Sequence, residues 1–128
     1  MVVVLKTTER WRPVPMYEGL YEVSTRGRVR SLDRKVNGRN CTYIRSGRVL
    51  KQKTDKDGYR QVGLTVDGVV RSFQVHRLVA LAFIHNMDDD ADKVNHKDLD
   101  KSNNQIWNLE WCTHQENMTH WRTNRVAY

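Results

Sequence analysis

The chain has 128 residues, of which 38% are hydrophobic, which is enough for one domain or two small modules that share a core. No apolar run approaches the ~18 residues of a membrane-spanning helix, and the apolar residues 2–5 are too few for the core of a signal peptide. Because Cys41 and Cys112 lie far apart without the spacing of a zinc site, we expect reduced thiols, no structural zinc and a cytoplasmic protein.

Positive charge is concentrated in the first part of the chain. Residues 1–75 hold sixteen Lys and Arg against seven Asp and Glu, a net of +9, whereas residues 76–128 carry a net of −2. Between residues 26 and 60, twelve basic residues face three acidic ones. Ordinary solubility explains a basic face in many proteins, but this density favours contact with nucleic acid.

The first part of the chain is predicted to fold as short antiparallel strands. Residues 20–24 alternate between apolar and polar types, a turn follows at Gly27, and residues 28–32 resume the alternation. This pattern predicts a hairpin with arginines along one face and with Val29 and Leu32 on the buried side.

A second group of strands is predicted to follow. Residues 33–47 are typical of a long polar hairpin or loop, and residues 48–53 of a strand. An Asp-Gly turn then joins strands over residues 59–66 and 69–75.

A helix is predicted over residues 76–84. Apolar residues recur at helical spacing at Val75, Leu78, Val79, Ala82 and Phe83. His76 begins this helix without partners in the sequence, so we favour a structural histidine that bonds backbone or phosphate over a catalytic one. Residues 85–92 include four aspartates but lack the ligand pattern of a calcium loop, which predicts a solvated surface loop.

The last part of the chain is predicted to form a strand, a loop, a strand and a helix. A short apolar run ends in Asn95-His96, and residues 97–104 are too polar for a buried strand. Residues 109–112 form the second strand, and Thr113 with a glutamate three residues later makes a capping box at the start of the helix.

This arrangement can bring an imidazole and two amide oxygens together. Asn117 lies in the first turn of the helix, on the face that also carries His114 and Trp121. A strand that ends at Asn95 and His96 and folds back can place both beside that turn. Such a concavity suits a base and a sparsely liganded magnesium ion, which keeps several of its waters.

The pattern of Asn95, His96, Asn108 and Asn117 resembles that of the HNH nucleases, whose core is a ββα-metal finger. His96 precedes Asn108 by twelve residues and Asn117 by twenty-one, as in the nicking homing endonucleases of phages and introns. The basic N-terminal hairpins resemble the DNA-binding β motif that often precedes such nucleases.

The resemblance covers about residues 10–118 and implies an α+β fold. A basic antiparallel β module would occupy residues 1–75, and a connecting helix with the finger would occupy residues 76–128. Members that cut defined sites often carry a further C-terminal helical region that reads DNA, and from the sequence up to Tyr128 we expect none here.

The resemblance also implies a divalent-metal-dependent DNA endonuclease, which nicks one strand when monomeric because one finger offers one active site. His96 would be the general base, and Asn95 and Asn117 would hold Mg²⁺ or Mn²⁺. Asn108 would bond across the loop and fix the strand that carries His96. The products would be 5′-phosphate and 3′-hydroxyl ends, formed in the host cytoplasm of a phage or mobile element.

Double-stranded DNA is the expected partner of the basic module, through phosphate contacts that position the duplex without reading its sequence. The expected contacts are Arg26, Arg28, Arg30, Arg34, Lys35, Arg48, Lys51 and Lys53. The three tryptophans near the finger are instead predicted to be core or strand-face anchors: Trp107, Trp111 and Trp121.

Two departures from the family pattern affect the metal site. Asn95 stands where close relatives often have aspartate, and Asn117 stands where the name-giving motif has histidine, although the nicking branch also has asparagine there. A neutral amide binds magnesium less strongly than a carboxylate, which predicts slow cleavage or a preference for manganese. Asp98 and His120 are alternative ligands.

Two other functions share these features. A non-catalytic DNA-binding accessory or regulatory protein with a decayed finger would bind DNA with steep salt dependence and without cleavage. An RNA-binding fold would also use a basic sheet. The intact His96, Asn108 and Asn117 favour the nuclease.

Overall fold

The computed structural model describes residues 8–125, with side chains up to Arg122; the apolar residues 2–5 and the end at Tyr128 lie outside the described residues. The strands are β1 (Trp11–Pro13), β2 (Tyr21–Ser24), β3 (Val29–Ser31), β4 (Arg34–Asn37), β5 (Thr42–Arg45), β6 (Lys53–Thr54), β7 (Arg60–Val66), β8 (Val69–Gln74), β9 (Lys93–His96) and β10 (Leu109–Cys112). The helices are α1 (Val75–Phe83) and α2 (His114–Arg125), and a 3₁₀ turn, Ile106–Asn108, precedes β10.

All strand pairs in the described chain are antiparallel, as predicted for the first part of the sequence. The sheets are β1-β2-β3, β4-β5, β6-β7-β8 and β9-β10. With two helices beside these sheets, the fold is α+β, which confirms the predicted class. Within the described residues, neither helix is both long and apolar enough to cross a membrane.

Helix α1 lies between the sheets and the finger, which comprises β9, β10 and α2. It follows β8 without a loop, within one residue of the predicted start, and buries Val75, Leu78 and Val79 along one face. The cluster they join also contains Val23 of β2 and Leu109 of β10. The N-terminal sheets and the finger therefore share one hydrophobic core.

The predicted hairpin over residues 33–47 is present as β4 and β5, and it extends away from the core. Seven of its eight strand residues are exposed, and only Val36 is half-buried. The hairpin is fixed at its base, where the backbone N–H of Gly47 donates to Asp33 Oδ1 at 2.6 Å.

The predicted strand over residues 48–53 is wrong for most of its length. Val49 forms an isolated bridge with Arg30, and a regular strand begins only at Lys53. The segment runs along the edge of β3 instead, where the N–H of Leu50 donates to Val29 O at 2.8 Å. Its backbone groups are thus used by the first sheet and not by the third.

The tryptophan within β10 and the one in the 3₁₀ turn before it differ in environment. Trp111 is half-buried, and its Nε1–H donates to Ile84 O at 2.9 Å, as expected for an anchor. Trp107 is 60% exposed, so its prediction as an anchor is wrong. The 3₁₀ turn directs this ring outward, where Nε1–H donates to the side chain of Gln105.

Candidate active site

The end of β9 places two polar side chains inside the protein. Asn95 is 3% exposed and His96 is 5% exposed. Their strand pairs with β10, where Asn95 lies opposite Glu110 and His96 opposite Leu109. The Nδ2–H of Asn95 donates to Glu110 Oε1 at 2.9 Å, so this bond engages the amide nitrogen and not the Oδ1 oxygen.

Asn108 closes the loop between these strands. It is fully buried, and its Oδ1 accepts the backbone N–H of Asp98 at 3.1 Å. Its Nδ2 donates to Asp98 Oδ1 at 2.8 Å and to Asn103 O at 2.9 Å. These are the bonds across the loop that the family resemblance implies.

Asp98 takes part in the same network. Hydrogen bonds from Asn103 and from other loop groups lower the pKa of its carboxyl, against a smaller opposing effect of burial. The Asp98 carboxylate therefore holds the loop together. Asp98 and His120 are the alternative metal ligands, and neither lines the concavity formed by Asn95, His96 and Asn117.

The imidazole of His96 is oriented by Asn104, which is itself only 4% exposed. His96 Nε2 lies 2.7 Å from Asn104 Oδ1. Because an amide oxygen only accepts, the proton belongs on Nε2, and Nδ1 carries the lone pair. Burial lowers the pKa of His96, partly offset by the bond to Asn104, so the neutral form that can act as a base is favoured.

Helix α2 supplies the third polar group. The predicted capping box is present: the N–H of Glu116 donates to Thr113 Oγ1 at 3.1 Å, and Glu116 Oε1 accepts the N–H of Thr113 at 3.3 Å. In the first turn, Asn117 Oδ1 is buried without a hydrogen-bond partner among the described residues. Such an oxygen is costly unless a further group binds it.

Asn95, His96 and Asn117 meet at one small concavity, as predicted. Its other lining residues are Tyr59, Val94, Leu99, Lys101 and Trp121. The ammonium of Lys101 lies over the rings of Tyr59 and Trp121, 4.7 Å and 5.5 Å from their centroids. The concavity therefore combines an imidazole, two amide oxygens and a cation.

These donors fit a hard divalent cation. Asn117 Oδ1 has no hydrogen-bond partner among the described residues, and Asn95 bonds Glu110 through its amide nitrogen. The amide oxygens of both residues can therefore act as metal ligands. Within residues 8–125, no group of three or more His, Cys, Asp and Glu is arranged to hold a metal. A metal here would keep most of its waters, as magnesium does.

His76 packs beside this site without lining the concavity, a contact that the sequence did not reveal. It is 5% exposed, and its ring centroid lies 5.0 Å from that of His96 and 5.0 Å from that of Tyr59. Its Nδ1 is buried without a hydrogen-bond partner in the described chain, so the predicted bond to backbone is not formed at this atom, and contact with phosphate stays a prediction. Burial above all lowers the pKa of His76 to about 3.

The predicted phosphate contacts fall into two groups. Arg28 pairs with Glu9, whose pKa this bond lowers to about 2, and Arg30 pairs with Glu22 at 2.7 Å. Arg30 also stacks 4.0 Å from the ring centroid of Trp11. Arg28 is exposed despite its ion pair, and so are the remaining six: Arg26, Arg34, Lys35, Arg48, Lys51 and Lys53.

Two family models match the chain. Residues 9–65 match the NUMOD4 motif, and residues 73–119 match the HNH endonuclease model. The first match covers β1 to most of β7, and the second runs from the end of β8 to the first turns of α2.

Curated relatives and a solved structure agree with these matches. DNA endonuclease I-HmuI of Bacillus phage SP01 is 40% identical over 108 residues, which are 84% of this chain and 55% of that protein. An uncharacterized HNH endonuclease of Acanthamoeba polyphaga mimivirus is 45% identical over 92 residues, 66% of this chain and 28% of the viral protein. The chain thus spans about half or less of the length of these relatives.

The solved structure describes DNA binding and cleavage by the HNH homing endonuclease I-HmuI. It is similar to the fold described above with a TM-score of 0.75 and 36% sequence identity. The similarity covers 90% of this chain and 59% of that one.

Proposed function

The chain belongs to the HNH endonucleases and carries a NUMOD4 motif before the nuclease domain, and from this premise we propose that it is a divalent-metal-dependent endonuclease that nicks double-stranded DNA. The basic module at residues 1–75 would hold the duplex, and the finger within residues 76–128 would cut it. One finger provides one set of catalytic groups, so a monomer is expected to cut one strand at a time.

The observation that carries this proposal is the meeting of His96 with two amide oxygens in one concavity. With its proton on Nε2, His96 would accept a proton at Nδ1 from the attacking water. The water oxygen then bonds to phosphorus while the bond from phosphorus to the 3′ oxygen breaks. The released 3′ oxygen takes a proton from solvent water, which gives products with 5′-phosphate and 3′-hydroxyl ends.

A divalent metal would supply Lewis-acid stabilisation of the phosphate and of the leaving oxygen when bound. Asn95 and Asn117 would hold it through their amide oxygens, and Mg²⁺ or Mn²⁺ suits such ligands. Because both ligands are neutral, we expect weaker Mg²⁺ binding than at a carboxylate site. Asn108 supports the reaction indirectly, because it fixes the loop behind His96.

The exposed basic side chains support DNA as the partner. Arg34 and Lys35 lie on the β4-β5 hairpin, where they are open to phosphate groups. Cys41 is an exposed free thiol and Cys112 a buried one, which fits a reducing cytoplasm.

The proposal is tested with supercoiled plasmid, incubated with Mg²⁺ or Mn²⁺ and with or without a chelator. We expect metal-dependent conversion to open circles, which DNA ligase reseals because the nick carries a 5′-phosphate and a 3′-hydroxyl. His96→Ala should slow nicking by about 10²- to 10⁴-fold, the usual contribution of a general base. His85→Ala, at an exposed histidine outside the concavity, is the matched control.

Each contrary result has a distinct meaning. Retained DNA binding without cleavage by the wild type would favour the non-catalytic DNA-binding alternative. Nicking by His96→Ala at the wild-type rate would show that another group is the base.

A further inference from the structure

The turn between β2 and β3, residues 25–28, packs directly against the loop that carries Asn104. Gly27 has a φ of +79°, and a Cβ at this position would lie 2.7 Å from Asn104 Cβ and 2.9 Å from Asn104 O. Side chains do not approach each other so closely, so glycine is needed both for the backbone conformation and for the contact. Beside it, the N–H of Ile106 donates to Thr25 O at 2.8 Å.

The turn is itself held firmly. Ser24 Oγ accepts the backbone N–H of Arg26 at 3.2 Å and that of Arg28 at 3.1 Å. On the other side, Gln52 Nε2–H donates to Gly27 O at 2.8 Å. The surface offered to Asn104 is therefore a fixed backbone and not a mobile loop.

Asn104 links this surface to the nuclease site. Its side chain is buried, and its Oδ1 lies 2.7 Å from His96 Nε2. A displacement of Asn104 would turn the His96 ring or remove the bond that keeps the proton on Nε2. Gly27 of the N-terminal sheet therefore packs on Asn104, and Asn104 bonds His96, the proposed base.

We propose that the β2-β3 turn is a positioning element of the nuclease site: it holds Asn104 where the amide oxygen orients His96 for proton transfer. This inference rests on the proposed function. It gives the N-terminal sheet a second role beside DNA binding, because the turn lies outside the finger and packs on the residue that orients the base of the finger. Gly27 and Asn104 are positioning residues, since neither contacts the reacting phosphate in this account.

The test compares Gly27→Ala with Gly68→Ala in the full chain. Gly68 has a φ of +78°, and nothing lies within 4 Å of a Cβ built there, so both variants carry the same backbone strain and only one carries the contact. Nicking is measured in single turnover at saturating DNA, with the dissociation constant and melting temperature in parallel. We expect Gly27→Ala to nick about 10- to 100-fold more slowly, with DNA affinity retained, and Gly68→Ala to keep the wild-type rate.

A double-mutant cycle shows whether Gly27 acts through Asn104. If it does, Gly27→Ala combined with Asn104→Ala should be no slower than Asn104→Ala alone. Asn104→Asp keeps an acceptor oxygen and should retain most of the rate, whereas Asn104→Leu should lose it. These two variants test the link to His96 even where Gly27→Ala does not fold.

The outcomes separate the inference from the proposed function. Equal nicking rates for wild type and Gly27→Ala, additive losses in the cycle, or equal rates for Asn104→Asp and Asn104→Leu would each overturn the inference alone. A wild type that binds DNA without nicking it would overturn the proposed function, and the inference with it.

Discussion

The β4-β5 hairpin and the loop between β9 and β10 are both polar segments, yet the hairpin exposes its polar side chains and the loop buries two of them. On the hairpin, Arg34 and Lys35 are exposed, and neither forms an ion pair with another of the described residues. In and beside the finger loop, Asn104 is 4% exposed and Asn108 is fully buried, and both are hydrogen-bonded.

This difference in exposure predicts which property a substitution should change in each segment. A buried polar group costs free energy when its partner is lost, so its identity and position are fixed by geometry. Exposed cations act on a duplex mainly through their number, because the phosphate backbone is a uniform line of charge. We therefore expect finger variants to change stability and rate, and hairpin variants to change affinity.

The largest effect is expected at Asn108. Asn108→Ala removes three hydrogen bonds made by a fully buried side chain, so the free energy of unfolding should fall by about 3 kcal/mol. Urea denaturation measures this, with the exposed Asn40→Ala as control, expected within about 0.5 kcal/mol of wild type. A loss below about 1 kcal/mol would show that water replaces these bonds and that the loop is not fixed by Asn108.

An acid-linked loss of stability is expected from His76. Its pKa is lowered from 6.5 to about 3 in the folded chain, so between these values the unfolded chain binds more protons. The free energy of unfolding should then decrease as pH falls below about 6.5, by at most about 1.4 kcal/mol per pH unit from this group, until the folded pKa is reached.

His76→Phe isolates this contribution. Phenylalanine keeps a ring against Tyr59 and His96 but takes up no proton, so stability should depend less on pH than in the wild type. Unfolding curves at several pH values measure the slope, and His85→Phe provides an exposed control. Equal slopes for wild type and His76→Phe would show that His76 stays accessible to protons.

Local signals in the sequence account for much of the fold and for part of the site. The capping box at Thr113, the Asp-Gly turn and the run ending in Asn95-His96 act within a few residues, so they could be predicted. The roles of Gly27, His76 and Asn104 could not, because each depends on a contact between segments that are distant in the chain. Glycine in a turn, in particular, looks the same whether or not a loop packs on it.

The remaining errors have a similar origin. The segment after Gly47 has the alternation of a strand, but the edge of β3 takes its backbone hydrogen bonds. Trp107 has the size of a core residue, but the 3₁₀ turn that carries it faces outward. In both places tertiary structure overrides a correct local preference.

The smallest effect is expected on the hairpin, and its contrast with the finger tests the central claim that the finger cuts and the basic module holds. The measurement is DNA affinity as a function of salt, together with the nicking rate at saturating DNA, for Arg34→Gln/Lys35→Gln and for His96→Ala. The hairpin variant should bind more weakly, with the salt slope reduced by about two, and nick at the wild-type rate once saturated. His96→Ala should bind as the wild type does without nicking. Loss of rate at saturation in the hairpin variant, or loss of affinity in His96→Ala, would contradict the division of roles.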